Sequence, residues 1–179
     1  MFIQTQSTPN PNSLKFLPGK NVSSIGPIEI TDSNKTNNEL IRNILLINGI
    51  KSVFLSDDFI SVNKEANYEW EDLKHIIISF INDFFSQGNE VVISKENDTK
   101  NIDTSTVEGK IVKILETKIR PAVARDGGDI KFKEFKNGIV RVELQGACSG
   151  CPSAALTLKQ GVQNLLCHYI PEVKEVEAV

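Results

Sequence analysis

Apolar positions along the chain change period twice, and those changes mark out its elements. Phe2-Ile3-Gln4-Thr5 and Leu14-Lys15-Phe16-Leu17 read as short strands on either side of the turn signal Thr8-Pro9-Asn10-Pro11-Asn12. From Asn38-Glu39-Leu40 the spacing becomes helical, with Leu40, Ile41, Ile44, Leu45 and Ile47 in one stripe and Asn48-Gly49 as the C-cap. Ser52–Leu55 and Phe59–Val62 flank Asp57-Asp58 as a β-hairpin. A second helix spans about Glu69 to Phe85, with Leu73, Ile76, Ile77, Phe80, Ile81 and Phe84 on one face and Glu69, Glu71 and Asp72 in its first turn. Val91-Val92-Ile93 adds a short strand. Two helices over one face of a small sheet make an α+β layer.

Between Ser94 and Thr106 the single apolar residue is Ile102, too little to offset the entropy of ordering the segment. With complete element patterns on both sides, residues 94–106 read as a linker between a domain at 1–93 and another at 107–179. The second domain opens with a stripe of Val107, Ile111, Ile114, Leu115, Ile119 and Val123, in which Pro121 predicts a kink or an early end. Asp126-Gly127-Gly128-Asp129 stops that helix. Strands Ile130–Phe135 and Ile139–Leu144 meet at Asn137-Gly138, a strong hairpin turn. After a loop, a helix carrying Ala155, Leu158, Val162, Leu165 or Leu166 and Tyr169 ends at Ile170-Pro171, and Val173 and Val176 fall in a last strand. The predicted architecture is α+β, two small α/β-layer domains, with the second ordered α-β-β-loop-α-β. About 70 residues is near the lower limit for a self-sufficient core.

The loop is Gly146-Ala147-Cys148-Ser149-Gly150-Cys151-Pro152. Two cysteines three apart can aim both sulfurs at one metal or cluster. Gly150 suits a positive φ, and Pro152 suits the first turn of a helix. Amide groups and the dipole at that helix start favour anionic sulfur. The third cysteine, Cys167, and His168 lie about 25 Å along the helix axis from Cys151, too far to share a mononuclear site. Cys167 reads as a small packing residue, and His75, in the first domain, as a surface or boundary residue.

A tetrahedral zinc site or an iron–sulfur cluster takes about four ligands, and one chain offers two. Either the pair cycles between dithiol and disulfide, or two chains meet loop to loop and supply four thiolates. Opposed helix N-termini would then direct amides toward an anionic cluster. A site held at the surface by two loops also suits a cluster meant to be passed on. Structural zinc on the same thiolates is a third reading. Against the oxidoreductase stands the order of elements, which lacks the βαβ unit that usually accompanies such a motif.

Composition narrows the class. The 179 residues are 40% hydrophobic and 24% charged, ordinary for a globular protein. A net charge of −3 makes no general case for nucleic acid or membrane. Residues 1–106 hold 9 basic and 14 acidic side chains, and residues 107–179 hold 11 and 9, a contrast that suits two domains better than a charged tail. Without a signal-peptide pattern, three cysteines point to a reducing compartment. The bacterial cytoplasm is the first expectation, although a processed organellar protein would look the same.

Arg120-Pro121, Asp126-Gly127-Gly128-Asp129 and the Cys loop resemble the C-terminal domain of NifU, the Nfu family, over essentially all of 107–179. Met1–Thr5, Thr8–Asn12 and Leu14–Gly19 resemble the domain fused to it at the N-terminus in bacterial and mitochondrial Nfu proteins. The resemblance implies a non-enzymatic scaffold or carrier holding a 4Fe–4S cluster between two subunits and delivering it to apo-proteins. On that likeness, Cys148 and Cys151 of each chain are the ligands. Asp126, Gly127, Gly128 and Asp129 keep a structural role, and Cys167 matches no ligand position. Implied partners are apo iron–sulfur targets, upstream assembly proteins and, when loaded, a second copy. The cysteine-free N-terminal domain would recognise such proteins.

Overall fold

The computed structural model describes residues 2–91 and 105–179. The chain divides into two compact units, residues 1–96 and 97–179. Most of the expected linker, 94–104, and two of the three residues of the strand expected at Val91-Val92-Ile93 lie outside the described residues.

In the first unit, β1 (Gln4–Ser7), β2 (Ser13–Leu17), β3 (Ile28–Ile30), β4 (Ile50–Leu55) and β5 (Ile60–Lys64) form one sheet in the order β1-β2-β5-β4-β3. All its pairings are antiparallel. The first strand begins two residues later than the sequence pattern suggested: Gln4 is the first residue to pair, opposite Leu17, and Phe2 is exposed. Phe16, Val53, Leu55, Ile60 and Val62 share one core with Leu40, Ile41 and Ile44 of α1 (Glu39–Leu45) and with α2 (Trp70–Ser86).

Asn38 caps α1 by accepting the Ile41 amide at 3.2 Å. The expected Asn48-Gly49 cap is displaced. The helix closes at Leu46, and Gly49 (φ +90°) serves the turn into β4 instead. Its carbonyl accepts the Glu65 amide at 2.7 Å, and a Cβ there would strike the Tyr68 ring. On α2 the core ridge is Leu73, Ile77, Ile81 and Phe85. Ile76, expected in the core, faces out because it sits about 100° around the helix from Ile77.

The other face of this sheet is buried as well, a feature absent from the one-sided layer the pattern predicts. There Ser52 donates to Glu29 Oε1 (2.7 Å) and accepts from Asn63 Nδ2 (2.9 Å). The Lys15 ammonium lies 4.0 Å above the Phe59 ring.

In the second unit, Thr106 belongs to a helix start: its hydroxyl accepts the Gly109 amide at 3.0 Å and opens α3 (Val107–Ile114). A π-helical segment, Leu115–Ile119, follows and runs straight into α4 (Arg120–Arg125). Pro121 neither ends nor breaks the helix. The wider turn lets the Arg120 amide reach Leu115 O, which relaxes the backbone where the proline ring would otherwise press on the preceding turn. This also explains the core ridge. Ile111, Leu115, Ile119 and Val123 are each four apart, a spacing that drifts about 40° per step on an ideal α-helix. Underwinding in the π segment keeps all four on the buried side.

Gly127 (φ +83°) then turns the chain into β6 (Gly128–Lys136), and Asn137 and Gly138, both at positive φ, turn it back into β7 (Ile139–Gly146). The helix α5 (Pro152–Tyr169) crosses over, and β8 (Glu175–Ala178) pairs parallel to β7. The sheet order is β6-β7-β8. That parallel pairing corrects one sequence argument: β7-α5-β8 is a βαβ unit, with the Cys loop entering its crossover helix. Linear order alone concealed it, since parallelism depends on where α5 returns the chain.

On α5, Val162 and Leu166 are buried in the core with Ile111, Val140 and Val176. Tyr169, expected on the core face, is half-exposed beside Lys118, whose ammonium is 5.2 Å from the ring centroid.

Candidate metal centre

Two glycine turns are laced together to make the site. Gly128, at the start of β6, pairs with Gly146 at the end of β7, so the stop of the long helix and the entry to the Cys loop stand side by side. The Ala147 amide donates to Gly127 O at 3.1 Å, joining the turns directly. Gly146 takes φ +66°, and its carbonyl accepts both the amide (3.1 Å) and the hydroxyl (2.8 Å) of Ser149. Gly150 takes φ +78°, Cys151 occupies the N-cap and Pro152 opens α5, as the sequence predicts.

The thiols differ in setting. Cys148 is 8% exposed, and its sulfur lies against Gly128. A Cβ on Gly128 would stand 2.6 Å from Cys148 Sγ and 2.6 Å from Gln145 O. Cys151 is half-buried at the head of α5, its Sγ 3.3 Å from Ser153 Oγ. None of the three cysteines is joined in a disulfide among the described residues. One sulfur is seated in the fold and the other opens outward, so a soft metal or cluster bound by both would lie at the rim.

Gly127 and Gly128 therefore do more than stop a helix and start a strand, because Gly128 shapes the seat of a sulfur. Sequence reasoning also missed how this turn is buttressed. Asp129 is 3% exposed, and Arg120 forks onto it, Nε to Oδ1 at 2.8 Å and a terminal nitrogen to Oδ2 at 3.0 Å. Glu116 adds a weaker contact to the same guanidinium at 3.6 Å. The available signal was an Arg and an Asp nine apart across a helix stop, which an immediate return of the chain brings together. Across the hairpin from Asp129, Gln145 donates to Glu143 at 2.8 Å. Burial pushes the Glu143 carboxyl up, but the hydrogen bonds from Lys133 and Gln145 and the nearby lysine charges outweigh it and hold the group below its ordinary value.

The remaining candidates stay apart from the loop. Cys167 packs against the core of the second unit, as a small apolar residue would. His168 stands edge-on to Tyr169, and His75 is exposed on α2 of the first unit. Among the described residues, no group of three or more His, Cys, Asp or Glu side chains is placed to hold a metal ion. No helix among them is long and apolar enough to cross a membrane.

Two family models cover most of the chain: the NifU-like domain over residues 111–177 and the Nfu/NifU scaffold protein N-terminal domain over residues 3–88. A human protein named NFU1 iron-sulfur cluster scaffold homolog, mitochondrial, is 45% identical over 183 residues, spanning 100% of this chain and 72% of its own length. The chain belongs to the NifU/Nfu family. NifU-like protein 5, mitochondrial, of Arabidopsis thaliana is 44% identical over 99% of this chain and 67% of its own length. A solved structure of a NifU-like protein from Saccharomyces cerevisiae shares 28% identity, covers 53% of this chain and 87% of its own, and has a TM-score of 0.47. The Cys loop, its glycine partner turn and the Arg120–Asp129 fork all fall inside the NifU-like domain. The polar-backed sheet with α1 and α2 falls inside the Nfu N-terminal domain.

Proposed function

We propose that this chain is a non-catalytic iron–sulfur scaffold and carrier, and that Cys148 and Cys151 of two copies together hold a 4Fe–4S cluster for delivery to apo-proteins. The observation that carries this reading is the pair of thiols on one loop, outside any disulfide, one seated and one open, with no third ligand grouped beside them among the described residues. Family membership supports the iron–sulfur chemistry, since the human relative is named as an iron-sulfur cluster scaffold homolog. The names of that protein and of the Arabidopsis relative also say mitochondrial, which supports the organellar alternative and gives the bacterial cytoplasm no support.

The cluster is cargo. Handing it on needs only ligand exchange, in which each iron–cysteine bond broken here is replaced by one to an acceptor thiolate, and the released sulfur takes up a proton. No electrons move. The rim position of Cys151 suits the first exchange, and the seated Cys148 suits the last. The 1–93 region, without a thiol, is left to recognise clients or assembly proteins.

Anaerobic reconstitution tests the ligand assignment. Cys148→Ala and Cys151→Ala should each lose cluster absorbance and bound iron, whereas Cys167→Ala should keep both. A full cluster in either of the first two would contradict the assignment.

One observation favours a second reading. Thiols entering the crossover helix of a βαβ unit are arranged as in thioredoxin-like enzymes. Robust insulin reduction by the metal-free protein would promote a thiol–disulfide oxidoreductase. Stoichiometric zinc in protein purified without air would instead promote a structural zinc site.

A further inference from the structure

Ser153 reaches back over the open thiol. It is the second residue of α5, and its Oγ lies 3.3 Å from Cys151 Sγ. The hydroxyl has no other hydrogen-bond partner among the described residues. In the thiol state either group can donate. Once the sulfur binds iron as a thiolate it has no hydrogen to give, and the hydroxyl must be the donor. Cys151 fills the N-cap without a side-chain capping bond to the helix amides, and Pro152, the next residue, has no amide hydrogen. A side-chain hydroxyl thus meets the sulfur at the helix start. The loop's other serine is used differently: Ser149 turns its hydroxyl onto Gly146 O at 2.8 Å, while the Cys148 sulfur rests against the Gly128 backbone.

We propose that Ser153 is a positioning residue that eases Cys151 off the cluster, its hydroxyl donating to the departing thiolate. The inference rests on the reading of Cys151 as a cluster ligand. A thiolate carries more charge after it leaves iron than while bound, and a donor stabilises the more charged form more. The same bond draws electron density from a bound sulfur, which raises the reduction potential of a cluster. In the exchange, the bond from iron to Cys151 breaks and one to the acceptor's sulfur forms. The acceptor thiol gives its proton to solvent, and the released Cys151 takes one up. Ser153 keeps its own hydrogen throughout, and no electron moves.

The test compares wild type, Ser153→Ala and Ser153→Thr in the full chain. In metal-free protein, the Raman S–H stretching band of Cys151, assigned by its loss in Cys151→Ala, should shift in Ser153→Ala and return in Ser153→Thr. After anaerobic reconstitution, Ser153→Ala should bind as much iron as wild type and show a lower reduction potential. It should pass its cluster to an apo-ferredoxin about 3-fold or more slowly, a fraction of the worth of a hydrogen bond to a charged group. Ser153→Thr, which keeps a hydroxyl, should recover both. A wild-type transfer rate in Ser153→Ala would overturn the proposal. So would faster transfer at an unchanged potential, the mark of a helix start that was merely loosened. An S–H band that does not move in Ser153→Ala sinks the proposal alone, whereas wild type that takes up no cluster sinks the ligand reading and the proposal with it.

Discussion

Gly128 is the residue at which the site is least tolerant. Its α-carbon is the wall against which Cys148 rests, and a methyl there would overlap the sulfur and the Gln145 carbonyl at once. Neither neighbour can step aside freely, since one is main chain and the other is buried. Gly128→Ala should lower stability by about 1–3 kcal/mol, the usual cost of overpacking, read as a lower urea midpoint at unchanged slope. It should also weaken cluster retention. Wild-type stability in this variant would mean that the seat is looser than described. The glycine itself was legible in the sequence as part of a helix stop. Its contact with Cys148 was not, because that depends on β6 and β7 pairing Gly128 with Gly146.

At the scale of elements, the long helix of the second unit shows where pattern reading succeeds and stops. Ile111, Leu115, Ile119 and Val123 were visible as a stripe, and Asn137-Gly138 as a hairpin, because each is a local preference of its own residues. Pro121 suggested a kink or an early end; the helix continues past it through a π turn, which keeps four core residues on one side. That same turn delivers Arg120 to Asp129. With Asp129 buried, removing its partner strands a carboxylate, while Arg120 itself is 30% exposed and water can offset part of the loss. Arg120→Ala should therefore cost about 3 kcal/mol, the lower end for breaking a buried pair. Arg120→Lys should recover only part, because a lysine cannot form the fork. Chemical denaturation of the three proteins checks this, and equal stabilities would show that the fork is not what secures the turn. The βαβ unit likewise escaped the sequence, as nothing in β8 itself announces a parallel partner.

For the molecule as a whole, every thiol falls in one unit and none in the other, which the proposed function leaves to recognise clients. Under the proposed function the thiol-bearing unit supplies only half of a four-ligand set, so the account depends on a second copy. Iron content determined together with mass in solution tests this most directly. The loaded protein should be a dimer with about four iron atoms, the complement of one cubane cluster, and should fall to monomer when a chelator strips the metal. A stoichiometric cluster bound within a single monomeric chain would contradict it.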